Sequence, residues 1–249
     1  MWTTDALVSE AKPWRASVWR VVESQSKVST MKLVDTLDEQ KQLEAIIERS
    51  KPALPAACAG LHSLLSTPFR YRPYPHGSRF RRAGQAEGCL YVSDTPDTAI
   101  AETAFYSLLF FLEAKGMTLP AVPLERTAFS VRIDAHRAID LTGPPLARDA
   151  SLWTDPTGYA PCQDLADLAR DAGIGAIRYR SVRDPRHGMN AAILDPAAIA
   201  SRQPEASQTW HLFVGRTAVQ AFRELPSDAI EFTLQDWSGD PRLARHQPG

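Results

Sequence analysis

The sequence predicts a single α+β domain built on a curved, largely antiparallel sheet with flanking helices. Strand-like and helix-like segments follow one another in mixed order, which is the pattern of that class. Neither an internal repeat nor a convincing linker divides the 249 residues, a length that suits one large domain or two small ones. Prolines outnumber glycines, 19 to 13, so the connections are expected to be ordered turns and the build loop-rich.

Residues 1–16 read as an N-terminal extension, and 17–22 as the first strand, with Val18, Arg20 and Val22 on one face. A helix is expected over 37–49: Thr36 and Glu39 have capping-box spacing, Leu37, Leu43, Ile46 and Ile47 form an apolar stripe, and Pro52 stops it. With a further helical stretch over 57–66, the segment from about 30 to 66 reads as a helical insertion. Phe69 to Tyr74 is expected to be extended, because Pro68, Pro73 and Pro75 oppose helix. Gly88 to Ser93 reads as a strand, with Leu90 and Val92 toward the core and Cys89, Tyr91 and Ser93 on the other face.

A long helix is predicted over 96–115, with Thr95 as N-cap, Pro96 at the first position and Gly116 at the exit. From Ala104 to Leu112 it is apolar nearly all round, which predicts burial on every side. Strands are expected over 128–133 and 138–141, then an irregular crossing over 142–160. A helix over 163–172 places Leu165, Leu168 and Ala169 on one side and closes at Gly173. Strands at 176–180, 190–194, 210–214 and 229–234 complete a single domain of 17–238, and the polar tail 239–249 is expected to be disordered.

Composition narrows the function. A net charge of -1 and a pI near 6.6 argue against a general nucleic-acid or membrane-surface binder. The three cysteines, Cys58, Cys89 and Cys162, lie far apart without a CxxC pair, and the six histidines are scattered, so reduced thiols and no metal site are expected. Met1 to Trp19 lacks a signal-peptide pattern, and the most apolar run, Leu108 to Leu112, is too short to span a bilayer. A cytoplasmic protein is expected.

Arg70, Arg72, Arg79, Arg81 and Arg82 crowd one stretch. Guanidinium forks suit a phosphate or pyrophosphate, although a solvated charged loop accounts for the pattern equally simply. Glu102 falls in the early turns of the long helix, just before its apolar run, where a carboxylate should be partly desolvated, with Phe105, Tyr106 and Leu109 on its face. It is either an apolar-lined carboxylate suited to steadying a ribosyl cation or the partner of a nearby arginine. Ser181 ends a strand and Asn190 opens the next, and no GxSxG elbow or positioned histidine accompanies the serine. Gly173-Ile-Gly175 leaves a helix and enters a strand, the reverse of a dinucleotide fingerprint, so any NAD binding here is non-Rossmann.

Together these pieces resemble the RES family. The resemblance rests on Gly-Ser-Arg-Phe at 77–80, Leu-Tyr-Val-Ser at 90–93, Thr-Ala-Ile-Ala-Glu-Thr at 98–103, Arg-Ser-Val at 180–182 and Asn-Ala-Ala-Ile-Leu-Asp-Pro at 190–196, with Trp19-Arg20 as the early arginine. It implies a split, curved α+β sheet similar to that of ADP-ribosyltransferase toxins, with NAD as substrate in the cleft. It also implies the toxin half of a bacterial toxin–antitoxin pair, whose DNA-binding antitoxin occludes that cleft. By position, Arg20 and Arg79 would hold the pyrophosphate or ribose hydroxyls, and Tyr91 would border the nicotinamide. Glu102 would bind ribose and stabilise the anomeric cation, and Ser181 would position the nicotinamide side or the acceptor, with Asn190 beside the substrate. The usual Gly-Gly-Arg-Trp-Asn is here Gly-Ser-Arg-Phe-Arg, and the stretch between Arg20 and Gly77 is longer than in short members.

Those departures bear on the acceptor. A protein target is favoured, with inorganic phosphate, making the chain an NAD phosphorylase, as the alternative. A nucleotide- or RNA-binding module using the arginine stretch is the non-enzymatic alternative, and an inactive partner in a larger complex is a third.

Overall fold

The computed structural model describes residues 2–24, 34–70 and 75–246. Helix α1 (Thr4–Glu10) is capped by Thr3, whose hydroxyl accepts from the Ala6 N–H, and it buries Leu7. Strand β1 (Lys12–Glu23) follows at once. Residues 1–16, set apart as an extension in the sequence, therefore hold a helix anchored in the core and the start of the first strand.

Helix α2 (Leu37–Ser50) begins at the expected capping box, with both reciprocal hydrogen bonds formed between Thr36 and Glu39. Its apolar stripe is not packed inward: Leu37, Ile46 and Ile47 are exposed. Helix α3 (Ser63–Arg70) corrects the extended reading at Phe69 and Arg70. Pro68 removes one helical hydrogen bond, but the helical path buries Leu65 and Phe69. Gly88 makes that packing feasible, since a Cβ there would lie 2.3 Å from the Pro68 carbonyl oxygen. The remainder of the extended reading, 71–74, and residues 30–33 of the insertion lie outside the described residues.

After β2 (Leu90–Ser93), helix α4 (Pro96–Glu113) starts as predicted, with the Thr95 hydroxyl accepting from the Thr98 N–H. It is not buried on every side. Ile100, Ala104, Phe105 and Leu108 pack against the sheet, whereas Tyr106 and Phe110 are exposed. A helix laid on a sheet has one face against it, and here the other borders open grooves.

Strand β3 (Leu124–Asp140) fuses the two strands expected over 128–133 and 138–141. The join is polar, so alternation could not report it; pairing with β1 carries it, with Asp134 opposite Arg15 and their side chains bonded at 2.9 Å. A short turn of 3-10 helix (Leu146–Asp149) and helix α5 (Ala150–Trp153) interrupt the crossing, and α6 (Ala160–Asp171) ends near Gly173, which adopts φ +64°. Then come β4 (Ala176–Arg180), β5 (Met189–Ile193), β6 (Ser207–Val214), β7 (Ala218–Arg223) and β8 (Asp228–Thr233). Strand β7 has no counterpart in the sequence reading, because only Val219 and Ala221 point inward with any force.

The tail from Gly239 is a second correction. Asp240 caps helix α7 (Pro241–Ala244), Leu243 is fully buried, and Asp240 binds the buried Arg183 at 2.5 Å. Polar composition suggested disorder, but here the polar groups are consumed by one another. Residues 247–249 lie outside the described residues.

The strand order is β1-β2-β5-β4-β3-β6-β7-β8, and β1 also pairs along β3. Five strands thus close into a ring, from which β6, β7 and β8 extend as a wing. Every pairing is antiparallel except β3 with β4. The predicted curved, split, antiparallel-rich sheet is what forms. Its split lies where β1 meets β2 through the single pair Trp19↔Ser93. Val18, Leu90, Val131 and Ile193 fill the ring; Ile139, Ile177, Cys162 and Leu165 pack α6 outside it; Ile100, Phe105, Trp210 and Phe232 join α4 to the wing. Among the described residues no helix is long and apolar enough to cross a membrane.

Candidate active site

A cleft of about 490 Å³ opens at the parting of β1 and β2, beside α4. Arg20, Arg79, Tyr91, Glu102 and Asn190 all line it, so residues spread over the chain converge on one cavity. Ser181 does not line it. That serine is 1% exposed and stands behind Glu102.

Glu102 rises from α4 and is held at one oxygen. Its Oε1 accepts from Ser181 Oγ at 2.6 Å and from Asn190 Nδ2 at 2.7 Å. Asn190 sits opposite Ser93 across β5 and β2, and Ser93 Oγ donates to Asn190 Oδ1 at 2.7 Å. With its carbonyl so engaged, the amide must present its N–H to Glu102. Among the described residues Oε2 has no hydrogen-bond partner. Both sequence readings of Glu102 need adjusting: among the described residues it is neither lined by apolar groups alone nor paired with an arginine. Neither of its donors carries a charge that would cancel its own. The expected companions divide, with Tyr106 lining the cleft and Phe105 buried in the core below.

Ser181 is fixed in turn by the loop it opens. Its Oγ accepts from the backbone N–H groups of Arg183 and Asp184, at 3.1 and 3.0 Å. The buried Asp184 carboxylate accepts from Thr98 Oγ1 at 2.8 Å, tying this loop to the first turn of α4. Gly188 closes the loop where nothing larger fits, for a Cβ there would meet Thr98 Oγ1 at 2.0 Å. The loop and the helix carrying Glu102 are thereby one unit.

The two predicted arginines differ in what they have left to offer. Arg20 donates from Nη1 to the Tyr91 carbonyl at 3.0 Å, its buried Nε has no partner, and no carboxylate pairs with it among the described residues. Burial holds its guanidinium below the ordinary arginine range. Arg79 is nearly buried, donating to the carbonyls of Trp153 at 2.7 Å and Asp155 at 2.8 Å beneath the Tyr159 ring. Its donors are largely spent on the wall. Tyr91 lines the cleft, and its hydroxyl meets Ser78 Oγ at 2.8 Å and accepts from the Phe80 N–H at 2.9 Å. Burial lifts that phenol well above its usual range.

The rest of the arginine stretch disperses. Arg70 binds Glu48 on α2, Arg82 binds Asp164 and Asp167 on α6, and Arg81 donates to the Gln85 carbonyl; Arg72 lies outside the described residues. Two other arginines, which the sequence did not single out, take their place at the cleft. Arg183 and Arg242 share the Asp240 carboxylate, at 2.5 and 2.9 Å, and both lie over the Phe105 ring. Two guanidinium groups on one carboxylate leave a net positive wall. No sequence signal pointed to Arg242, which follows a stretch of polar composition alone.

The RES domain family model matches residues 54–214, most of the chain. A comparison with curated proteins found no match. Among solved structures, the chain is similar to one in the crystal structure of the M. tuberculosis MbcT-MbcA toxin-antitoxin complex. The identity is 11% and the TM-score 0.47, covering 81% of this chain and 90% of that one. On the match to its family model, this chain belongs to the RES domain family.

Proposed function

We propose that the chain cleaves the nicotinamide–ribose bond of NAD and transfers ADP-ribose to an acceptor, a protein in preference to phosphate. In this reading it is the cytoplasmic toxin of a bacterial toxin–antitoxin pair, and a DNA-binding antitoxin plugs its cleft. The observation that carries the reading is one carboxylate, held at Oε1 by two neutral donors and open at Oε2, in a cleft lined by Arg20, Arg79, Arg183 and Arg242.

The chemistry follows from those groups. Glycosidic cleavage passes through an oxocarbenium-like state, and a pre-aimed carboxylate stabilises that state more than the ground state. An arginine partner would have cancelled the charge that does this; Ser181 and Asn190 orient it without cancelling it. A dinucleotide brings a dianionic pyrophosphate, which needs cations with free donors. Arg20 meets that need; Arg242 spends Nε and Nη2 on Asp240 and offers its charge with Nη1, while Arg79 holds the wall through backbone carbonyls. Tyr91, which lines the cleft, would border the nicotinamide side.

The test is to incubate the purified chain with NAD, with and without phosphate and cell extract, and to follow nicotinamide by chromatography. Release in at least one arm is expected. Steeply salt-dependent oligonucleotide binding with no nicotinamide in any arm would instead support the RNA-binding alternative. That alternative has lost its motive here, since Arg70 and Arg82 are paired with acids.

A further inference from the structure

Ser93 stands where the two sides of the split sheet meet. It pairs with Trp19 of β1, the single contact between those strands, and with Asn190 of β5 on its other side. Leu90 and Val92 of the same strand fill the core, while Tyr91 and Ser93 line the cleft. Directly opposed residues of an antiparallel pair share a face, so Ser93 and Asn190 meet there.

The serine hydroxyl is already committed. Ser93 is buried, and its Oγ donates to Asn190 Oδ1 at 2.7 Å. Asn190 is buried as well, and its Nδ2 donates to Glu102 Oε1 at 2.7 Å. Among the described residues these are the two hydrogen bonds of the Asn190 side chain.

We propose that Ser93 is a positioning residue for the reaction, acting on Glu102 through Asn190 and without touching substrate. The proposal rests on the reading of the cleft as NAD-cleaving. A carboxamide has nearly the same shape whichever way its oxygen points, so packing alone does not orient it. Here the hydroxyl at one end and the carboxylate at the other fix its direction. Without the hydroxyl, the buried Asn190 carbonyl has no donor, a costly state. The amide then turns toward any donor that the cleft offers, and its N–H leaves Glu102. Ser181 would remain as the sole donor to Oε1. One donor fixes a distance; two also fix the plane in which Oε2 points. Small errors of aim at a reacting group are expensive in rate.

The experiment uses the full chain with NAD, phosphate and cell extract, and follows nicotinamide release. Wild type, Ser93→Ala, Asn190→Ala and the double variant form a cycle, each checked by thermal melting. Ser93→Ala should lower kcat about tenfold and leave the KM for NAD within about twofold. In the Asn190→Ala background the same change should cost less than about twofold, because the residue it acts through is gone. Ser93→Thr keeps a hydroxyl on a residue suited to a strand and should restore most of the rate. If Ser93→Ala does not fold, Ser93→Cys, a weaker donor, takes its place with the same expectations. A full tenfold loss in the Asn190→Ala background, or a loss confined to KM, would mean that the serine meets substrate itself and overturns the proposal. So would a Ser93→Ala protein with wild-type kcat, or one that Thr does not rescue. In each of those cases the NAD reading stands. A wild-type chain that releases no nicotinamide sinks both.

Discussion

The buried hydroxyl of Ser181 donates to Glu102 Oε1 at 2.6 Å while accepting from two backbone N–H groups of its own loop. This three-way arrangement fixes the Glu102 carboxylate from a position outside the cleft lining, which in the proposed reading is a positioning role. Its consequence is a graded response to substitution. Glu102→Gln keeps the shape and removes the charge, so nicotinamide release should fall by about two to three orders of magnitude with little change in melting temperature. Ser181→Ala should slow release less but cost stability, about 1–3 kcal/mol, because two buried N–H groups lose their acceptor. Rates and melting curves for the pair check this; a Ser181→Ala protein unchanged in both would contradict it.

The cleft arginines should separate into two kinds. Arg79→Ala removes donors to two backbone carbonyls and should destabilise the chain by about 3 kcal/mol, seen in denaturant unfolding. Arg20→Ala and Arg242→Ala should instead raise the KM for NAD by about tenfold each, with smaller effects on kcat. If Arg79→Ala melts normally and only KM moves, the roles assigned to the arginines are reversed.

Acid should loosen the C-terminal turn. Burial works to raise the Asp240 carboxyl, but Arg242 and Arg183 outweigh it and hold it below its ordinary value of 3.8. A carboxyl depressed in the fold contributes stability that is present above the unfolded value and is lost as pH falls through the folded one. Melting temperature should therefore drop as pH descends below about 4. Asp240→Ala should reproduce that loss at neutral pH, costing about 3–5 kcal/mol by leaving Arg183 buried without its counter-charge. A pH-independent Asp240→Ala difference across that range would show that the carboxyl is not the group responsible.

The thiols should be silent. Burial pushes Cys89 up to about 11 and also raises Cys58 and Cys162, and all three are buried. Native protein near pH 8 should react slowly with a thiol reagent and denatured protein at once. Because the unfolded Cys89 thiol ionises near 9.0, before the folded one, stability should decline as pH rises from there toward 11. Fast labelling of the native chain would place a cysteine at the surface.

Local chemistry was legible in the chain itself. Thr36 with Glu39, and Thr95 with Pro96, start their helices as read, because a cap needs only neighbours within one turn. The period-2 runs at β2, β4 and β5 were equally plain, and the short family motifs named most of the side chains that meet in the cleft. What lay beyond sequence reach depends on partners distant in the chain. The continuity of β3 comes from pairing with β1, and β7 exists because β6 and β8 flank it. The tail is ordered by Arg183, more than fifty residues upstream.

The sequence by itself determined where the capped helices and the short period-2 strands begin, and it pointed to Arg20, Arg79, Tyr91, Glu102 and Asn190, which line one cleft. Only the tertiary structure decided how far each arginine's donors are engaged, that Ser181 is buried against Glu102 outside the cleft lining, and that Arg183 and Arg242 reach the cleft. The physical reason is that a motif records which residue occupies a position. Whether its hydrogen bonds go to the protein or stay open for a ligand is settled by the strands and loops that fold around it.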